Sequence, residues 1–276
     1  MACIKELDFA ILVNGCPTRW FKSATGLRQG DPLLPYLFIL GAEVFVRLVK
    51  MEQVNGGVSS IRIGNGCGSM SRLAYADDCI LFINVLSTEA QTMKALLNRY
   101  CKMSGQRVNV GKSSMYFGAG VKLRVKRRLV HRMVINEGKL PFMYLSVPIG
   151  MRRLPVRAFG HILEKIRTKL STWKAKTLSF VARITLLRSV LQAIPIYLMA
   201  CAWVPRMVLE KLEKSFRFFL WCHDGQRRGV HAISWDTFCA NKDVGGLGLR
   251  ELRPFHQALM AKQIVRSITK QDSIWA

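Results

Sequence analysis

Two adjacent carboxylates, Asp77 and Asp78, stand between short apolar runs in the stretch Leu73-Ala74-Tyr75-Ala76-Asp77-Asp78-Cys79-Ile80-Leu81-Phe82. No other stretch constrains the fold as much. An apolar run, a polar break and a second apolar run read as strand, tight turn, strand. Neighbouring side chains on a regular strand point to opposite faces, so two adjacent Asp side chains converge on one spot only at a bend. Asp tolerates turn conformations well. A hairpin tip that lifts both carboxylates out of an apolar sheet is a platform for a hard divalent cation such as Mg2+, which takes carboxylate oxygens together with substrate phosphates. A bare Asp-Asp pair is also an ordinary polar turn, so its neighbours along the chain decide between the two.

Those neighbours describe an α+β chain. Phe9 to Val13 is a short apolar run closed by the hairpin signal Asn14-Gly15, with Phe21 on the returning strand. Gly26 to Gly30 forms a loop, and Asp31-Pro32 follows as cap and first residue of a helix carrying Leu34, Leu37, Phe38, Gly41, Phe45 and Leu48, with Glu43 and Arg47 as an outward pair. Val58 to Ile63 alternates like a strand and turns at Asn65-Gly66. Thr88 and Gln91 read as a capping box for a helix marked by Ala90, Met93, Leu97 and Tyr100 and stopped by Gly105. Val108 to Phe117 has strand character around Lys112, and Phe142 to Ile149 reads as another hairpin. Beyond Gly150 the pattern turns helical: Phe159, Ile162, Ile166, Leu170 and Trp173 form one stripe, Ile184, Leu187, Leu191 and Ile194 a second, and Val208, Leu212, Phe216 and Phe219 a third. The domains expected are therefore residues 1–150, sheet with packed helices, and 151–276, all-helical.

The 276 residues carry a net charge of +25, which calls for a polyanionic partner, most simply nucleic acid. The charge is concentrated. Between Glu89 and Glu210 only Glu137 and Glu164 are acidic, against Lys122, Arg124, Lys126, Arg127, Arg128, Arg132, Lys165, Lys169, Lys174, Arg183, Arg188 and others. A solvated face ordinarily mixes signs, so this block reads as a surface that follows a phosphate backbone. A membrane is the weaker partner: the longest apolar run, Ala193 to Pro205, is interrupted by Pro195 and too short to span a bilayer. The eight cysteines occur singly, without a C-x-x-C pair, and no apolar leader opens the chain. Both point to reduced thiols inside a cell, nuclear or cytoplasmic, and not to a secreted protein. Cys222, His223, His231 and Cys239 do not have the spacing of the usual zinc modules.

Taken in order, Leu12-Val13-Asn14-Gly15, Gly26-Leu27-Arg28-Gln29-Gly30-Asp31-Pro32, Tyr75-Ala76-Asp77-Asp78, Ser104-Gly105 through Lys112-Ser113, Tyr144-Leu145-Ser146-Val147-Pro148-Ile149-Gly150 and Gly245-Gly246-Leu247-Gly248-Leu249-Arg250 resemble the reverse transcriptase of plant non-LTR, LINE-type retrotransposons. The resemblance implies the C-terminal part of a right-hand polymerase palm followed by a helical thumb and connection region. It implies a reaction that adds deoxynucleotides to a DNA primer on an RNA template. Asp77 then stands as principal ligand of two magnesium ions and Asp78 as the weaker partner, with Tyr75 and Ala76 beside the primer end and incoming sugar. Arg28, Gln29 and Gly30 fall in the nucleotide pocket, Lys112 near the pyrophosphate, and the basic block on the thumb side of the cleft. The family's further catalytic aspartate lies upstream of the Leu-Val-Asn-Gly hairpin, and neither Glu6 nor Asp8 matches it. The expectation is a truncated polymerase, inactive alone, whose missing N-terminal portion comes in trans if at all. The alternative is a basic nucleic-acid-binding remnant without catalysis. Leu34 stands where the family usually has serine, and Ser146 and Ala182 where it usually has glycine.

Overall fold

The structure is a computed structural model that describes residues 8–22, 30–62, 69–173, 178–221 and 233–269. The chain divides into two compact units, residues 1–138 and 139–276, so the division falls before the expected point near residue 150 and puts the hairpin Phe142–Ile149 in the second unit.

In the first unit β1 (Asp8–Phe9) pairs with β4 (Phe21–Lys22), and β2 (Leu12–Val13) with β3 (Cys16–Pro17), around the predicted Asn14-Gly15 turn. Both turn residues have positive φ, +50° and +84°, which an Asn-Gly pair supplies at little cost. Helix α1 (Leu34–Val54) starts later than Pro32: Asp31 Oδ1 accepts from the Leu33 N–H at 2.8 Å, closing a turn, and it is Pro35 that occupies the first helical turn. The outward pair is as read, Arg47 Nε to Glu43 Oε1 at 3.0 Å. Only the second half of α1 is buried, through Phe45, Leu48 and Val49. Strands β5 (Ile61–Arg62) and β6 (Ser69–Met70) pair antiparallel; the Asn65-Gly66 turn lies outside the described residues. Strands β7 (Arg72–Tyr75) and β8 (Asp78–Leu81) form the acidic hairpin.

Helix α2 (Ser87–Ser104) ends as predicted at Gly105, whose φ of +71° closes the last turn. One face meets α1 and the hairpin in a cluster of Phe45, Leu48, Val49, Val58, Met93, Leu96 and Tyr100, with Leu81 and Ile83 against it. The other face, through Ala90, meets Leu129 and Met133 of α3 (Leu123–Met133). Sheets are narrower than expected. Every described sheet has two strands, and the pair β9 (Ser114–Met115) with β10 (Asn136–Glu137) is parallel.

The second unit opens with the predicted hairpin, β11 (Phe142–Tyr144) with β12 (Val147–Ile149), and is helical beyond it: α4 (Gly160–Thr172), α5 (Phe180–Leu186), a π-helical turn Leu187–Leu191, α6 (Ile196–Cys201), α7 (Arg206–Trp221), α8 (Trp235–Cys239) and α9 (Leu252–Thr269). The three apolar stripes converge in one core containing Phe159, Ile162, Ile166, Leu187, Leu191, Val208, Leu212, Phe216 and Phe219, each worth about 1.5–3 kcal/mol of burial. The stretch Phe180–Cys201 is long and apolar enough, by length and composition only, to cross a membrane, a longer apolar stretch than the Ala193–Pro205 run read from sequence. Its Leu187, Leu191, Leu198 and Met199 are spent in this core.

Candidate functional site

The acidic hairpin has the predicted form. Tyr75 pairs with Asp78, Ala74 with Cys79, Leu73 with Ile80 and Arg72 with Leu81, which leaves Ala76 and Asp77 as the two-residue turn. Ala76 has φ +49°, a left-handed conformation that costs a residue with a Cβ about 1–2 kcal/mol. Asp77 and Asp78 are exposed, and Tyr75 beside them is 65% exposed. The turn therefore presents two carboxylates and an aromatic ring to solvent from one strained bend.

Magnesium commonly takes one or two protein carboxylates and completes its shell with water and substrate phosphates. The turn fits the protein's share for one such ion. For a pair of ions the fit is incomplete, since among the described residues no third His, Cys, Asp or Glu joins the group.

Other sequence-predicted positions are not all gathered here. Arg28 and Gln29 lie outside the described residues. Gly30 is exposed with φ +88° and leads directly into the Asp31 turn. Lys112 sits in a turn, not in a strand: its N–H is within reach of Asn109 Oδ1 at 3.1 Å and of Asn109 O at 3.2 Å, and strand begins only at Ser114. Cys239, imagined in a zinc set, has its thiol pushed up to about 12 by burial and by the nearby carboxylates Glu213, Glu251 and Asp236, which disfavours the thiolate that zinc requires. Cys222, His223 and His231 lie outside the described residues.

The basic block separates into free and committed side chains. On α3, Arg124, Arg127 and Arg128 are exposed and share one face with His131, and Lys122 is exposed just before the helix. Lys126 is committed: Nζ donates to Glu137 Oε1 at 2.8 Å and lies 5.4 Å from the centre of the Phe117 ring. Arg132 is committed too, its Nη1 donating to the Ser87 hydroxyl at the start of α2. Lys165 and Lys169 are exposed on α4, while Lys174 lies outside the described residues. Arg183 is buried, with Nη1 donating to Leu220 O at 2.8 Å and Nε to Leu178 O at 3.3 Å, so it terminates α7 and is no part of a phosphate-binding face.

One residue near the hairpin carried no motif. Glu89 is buried in the first turn of α2, and the Thr88–Gln91 capping box expected there is absent: Leu86 caps the helix without a side-chain bond. Instead Glu89 Oε1 accepts from the Ser59 hydroxyl at 2.7 Å and Asn84 Nδ2 at 3.2 Å, and Oε2 from the Asn84 N–H at 3.0 Å and the Ser59 N–H at 3.3 Å. Burial pushes this carboxyl up, but the Ser59 and Asn84 donors together outweigh it and hold it below the ordinary value. Its only sequence signal was an acidic residue in the first turn of a helix.

An exposed Asp-Asp hairpin is thus seated, through Leu81, on the core that α1 and α2 share. The chain belongs to the family described as reverse transcriptase (RNA-dependent DNA polymerase), whose model matches residues 2–149. Relatives extend the likeness. A putative ribonuclease H protein of Arabidopsis thaliana is 33% identical over 47% of this chain and 21% of its own length. An uncharacterized 149 kDa protein of transposon TX1 from Xenopus laevis is 25% identical over 95% of this chain and 19% of its own. A retrovirus-related Pol polyprotein from a type-2 retrotransposable element of Drosophila melanogaster is 25% identical over 87% of this chain and 22% of its own. The chain thus spans about a fifth of the length of each.

Proposed function

We propose that residues 1–150 carry the acidic-turn portion of the palm of a LINE-type retrotransposon reverse transcriptase, that the helices of residues 151–276 act as its thumb and connection region, and that the chain binds primer–template duplex without extending the primer by itself. The observation that carries this is the pairing of Asp77 and Asp78 on one exposed turn with no third acidic or metal-ligating side chain in the group among the described residues.

Asp77 and Asp78 would hold magnesium, which when bound activates a primer hydroxyl and offsets charge on a leaving pyrophosphate. The protein's own contribution is positional. The two-residue turn keeps both carboxylates at one end of the hairpin, and Tyr75 offers a ring for the sugar or base at the primer end. Lys112, exposed at its own turn, supplies a fixed positive charge for phosphate, and Gly30 leaves the loop before α1 open to close approach by a nucleotide. Deoxynucleotides and an RNA template with a DNA primer are the partners. The exposed cations of α3 and α4 engage their phosphates without reading sequence.

Carboxylates on a single turn clamp an ion from one side only, and loss of a group that stabilises transition-state charge commonly costs about 10² to 10³ in rate. Catalysis therefore awaits a carboxylate from another segment or from a polypeptide supplied in trans. The purified chain, given magnesium, deoxynucleotides and a primed RNA template, is expected to show no extension above the Asp77→Asn variant. Extension that Asp77→Asn abolishes would overturn this. A chain with neither extension nor manganese binding at the turn would instead match a nucleic-acid-binding remnant.

A further inference from the structure

The acidic hairpin lacks the support of a wide sheet. Among the described residues β7 pairs only with β8, and β5 only with β6, and an isolated two-stranded hairpin is marginally stable in water. Ala76 adds strain at the tip. Something must hold these strands in register.

The candidates are few. Leu81 and Ile83 pack against the core of the unit and anchor the exit of β8, and Val58, buried in the same core, seats the entrance to the preceding hairpin. The hydrogen bonds of Glu89 tie these two ends to each other. Ser59, two positions ahead of β5, lies 30 residues before Glu89, and Asn84, just past β8, lies 5 before it. Each offers the same carboxylate one backbone N–H and one side-chain donor. The carboxylate thereby closes the segment that contains both hairpins at its base, and the helix that carries it is packed on two sides.

We infer that Glu89 is a positioning residue for the acidic turn: by clasping Ser59 and Asn84 it fixes the hairpin that presents Asp77 and Asp78, and so sets their affinity for a divalent cation. The metal half of this rests on the reading of the turn given above; the clasp itself does not. A carboxylate suits the task because it is acceptor-only, and all four groups aimed at it are donors. Glutamine in its place keeps an acceptor for the two backbone N–H groups but turns an amide NH2 toward the Ser59 hydroxyl and the Asn84 side chain, which must reverse their roles, and it removes the charge that strengthens all four bonds.

The test uses the full chain by NMR, comparing Glu89→Gln with Ser59→Ala, which removes only the hydroxyl donor, and with Asp77→Asn. Amide exchange is read at Phe82, which bonds Ser71 O across the hairpin, and at amides in the middle of α2. The Ala76 intraresidue HN–Hα NOE, strong at positive φ, reports the turn, and titrated Mn2+ reports the metal through broadening of the Tyr75–Cys79 signals. In Glu89→Gln, hairpin exchange is expected to accelerate about tenfold or more while the middle of α2 stays protected, the Ala76 NOE to weaken, and Mn2+ to bind several-fold more weakly. Ser59→Ala, the milder variant, is expected to show the same pattern at smaller size, and it decides the matter if Glu89→Gln does not fold. Unchanged hairpin exchange, or equal loss in hairpin and helix, would overturn the clasp. If the wild-type chain binds no Mn2+ at the turn, or binds it as well after Asp77→Asn, the metal reading falls; the exchange and NOE data then still decide whether Glu89 positions the hairpin.

Discussion

Lys126 and Glu137 form an ion pair at 2.8 Å, and that pair removes one cation from a helix face that otherwise looks uniformly basic. Sequence counts all the lysines and arginines of α3 alike. The structure leaves Arg124, Arg127 and Arg128 open to a phosphate backbone and puts Lys126 and Arg132 to work holding α3 against its surroundings.

Nucleic-acid binding should follow that division. Each phosphate contact contributes roughly −0.9 to the log–log salt slope, so about six contacts give a slope near −5. Replacing Arg127 and Arg128 by alanine is expected to shrink the slope by about one for each residue, uniformly across sequences. Replacing Arg183 by methionine, which strips the Leu220 carbonyl of its donor, is expected to cost about 1–3 kcal/mol of stability and to leave the slope unchanged. Duplex affinity measured across a salt series, beside denaturant unfolding, separates the two outcomes. A slope unaffected by the double Arg127/Arg128 change would refute the assignment of that face.

Backbone strain marks two turns for relief. Ala76 at φ +49° and Ser146 at φ +64° are non-glycine residues in left-handed conformations. Such a conformation costs about 1–2 kcal/mol, and the extra freedom of glycine in the unfolded chain gives back about 0.5–1 kcal/mol. Ala76→Gly and Ser146→Gly should each raise stability by up to about 1 kcal/mol, read as a higher denaturation midpoint with an unchanged slope. Lower midpoints in both would mean that neither turn is strained. Ser146 is also a position where glycine is usual in the family that the sequence resembles, so the strained residue was legible in advance.

Two buried carboxylates give the units opposite responses to acid. Glu89 is held below the ordinary carboxyl value of 4.5 by its Ser59 and Asn84 donors in spite of burial, so the stability it contributes is full above pH 4.5 and is lost as pH falls through its folded value. Glu213 is raised above 4.5 by burial, against the opposing pull of the Leu252 N–H and Arg217. Its folded form holds the proton more tightly than the unfolded chain, so it favours folding at low pH, and that contribution is lost as pH rises through the raised value. Acidification from neutral pH should therefore first steady the surroundings of Leu252, and only below pH 4.5 loosen those of Asn84. Amide exchange at these two residues, corrected for the intrinsic rate, checks the order. Glu213→Gln, whose amide oxygen still accepts from Leu252, should remove the first response, and Glu89→Gln the second.

Much of this molecule was legible because its signals are local. Asn14-Gly15, Gly105 and the Tyr75–Asp78 stretch each determine a turn or a stop by the conformations they allow, and the stripe through Phe159, Ile162 and Ile166 could only bury itself. What was not legible depends on distant partners. Nothing near Glu89 in sequence announces that Ser59 will be its main ligand, and Arg183 looks like any surface cation until Leu220 is placed opposite it. The turn at Lys112 is illegible for a different reason: the apolar residues around it suggest a strand, but Asn109 captures the backbone into a turn first.

Two glycines with opposite surroundings test how closely the fold depends on such distant contacts. Gly41 lies within α1, with no other group within 4 Å of where a Cβ would stand, and glycine inside a helix costs about 0.8–1 kcal/mol relative to alanine. Gly246 is the reverse case. It lies in the Gly245–Leu249 segment, where its N–H donates to Asn241 O at 3.0 Å, Gly248 N–H to Ala240 O at 3.0 Å, and the amides of Leu247 and Leu249 both to Phe238 O. This clip carries Leu249 and Leu252 into the core, and Gln192 fastens its far side by donating to Arg250 O at 2.9 Å. A Cβ on Gly246 would overlap the carbonyl of Ala240, which is backbone and cannot swing aside, so the clip itself would have to move. Gly41→Ala is expected to gain close to 1 kcal/mol, whereas Gly246→Ala should lose about 1–3 kcal/mol or more, as overpacking against fixed atoms does. Unfolding of both variants by denaturant, with exchange at Leu247 and Leu249 as the local probe, decides the matter; a neutral Gly246→Ala with those two amides still protected would show that the clip tolerates a methyl group and that its glycines serve only the turn at Gly245.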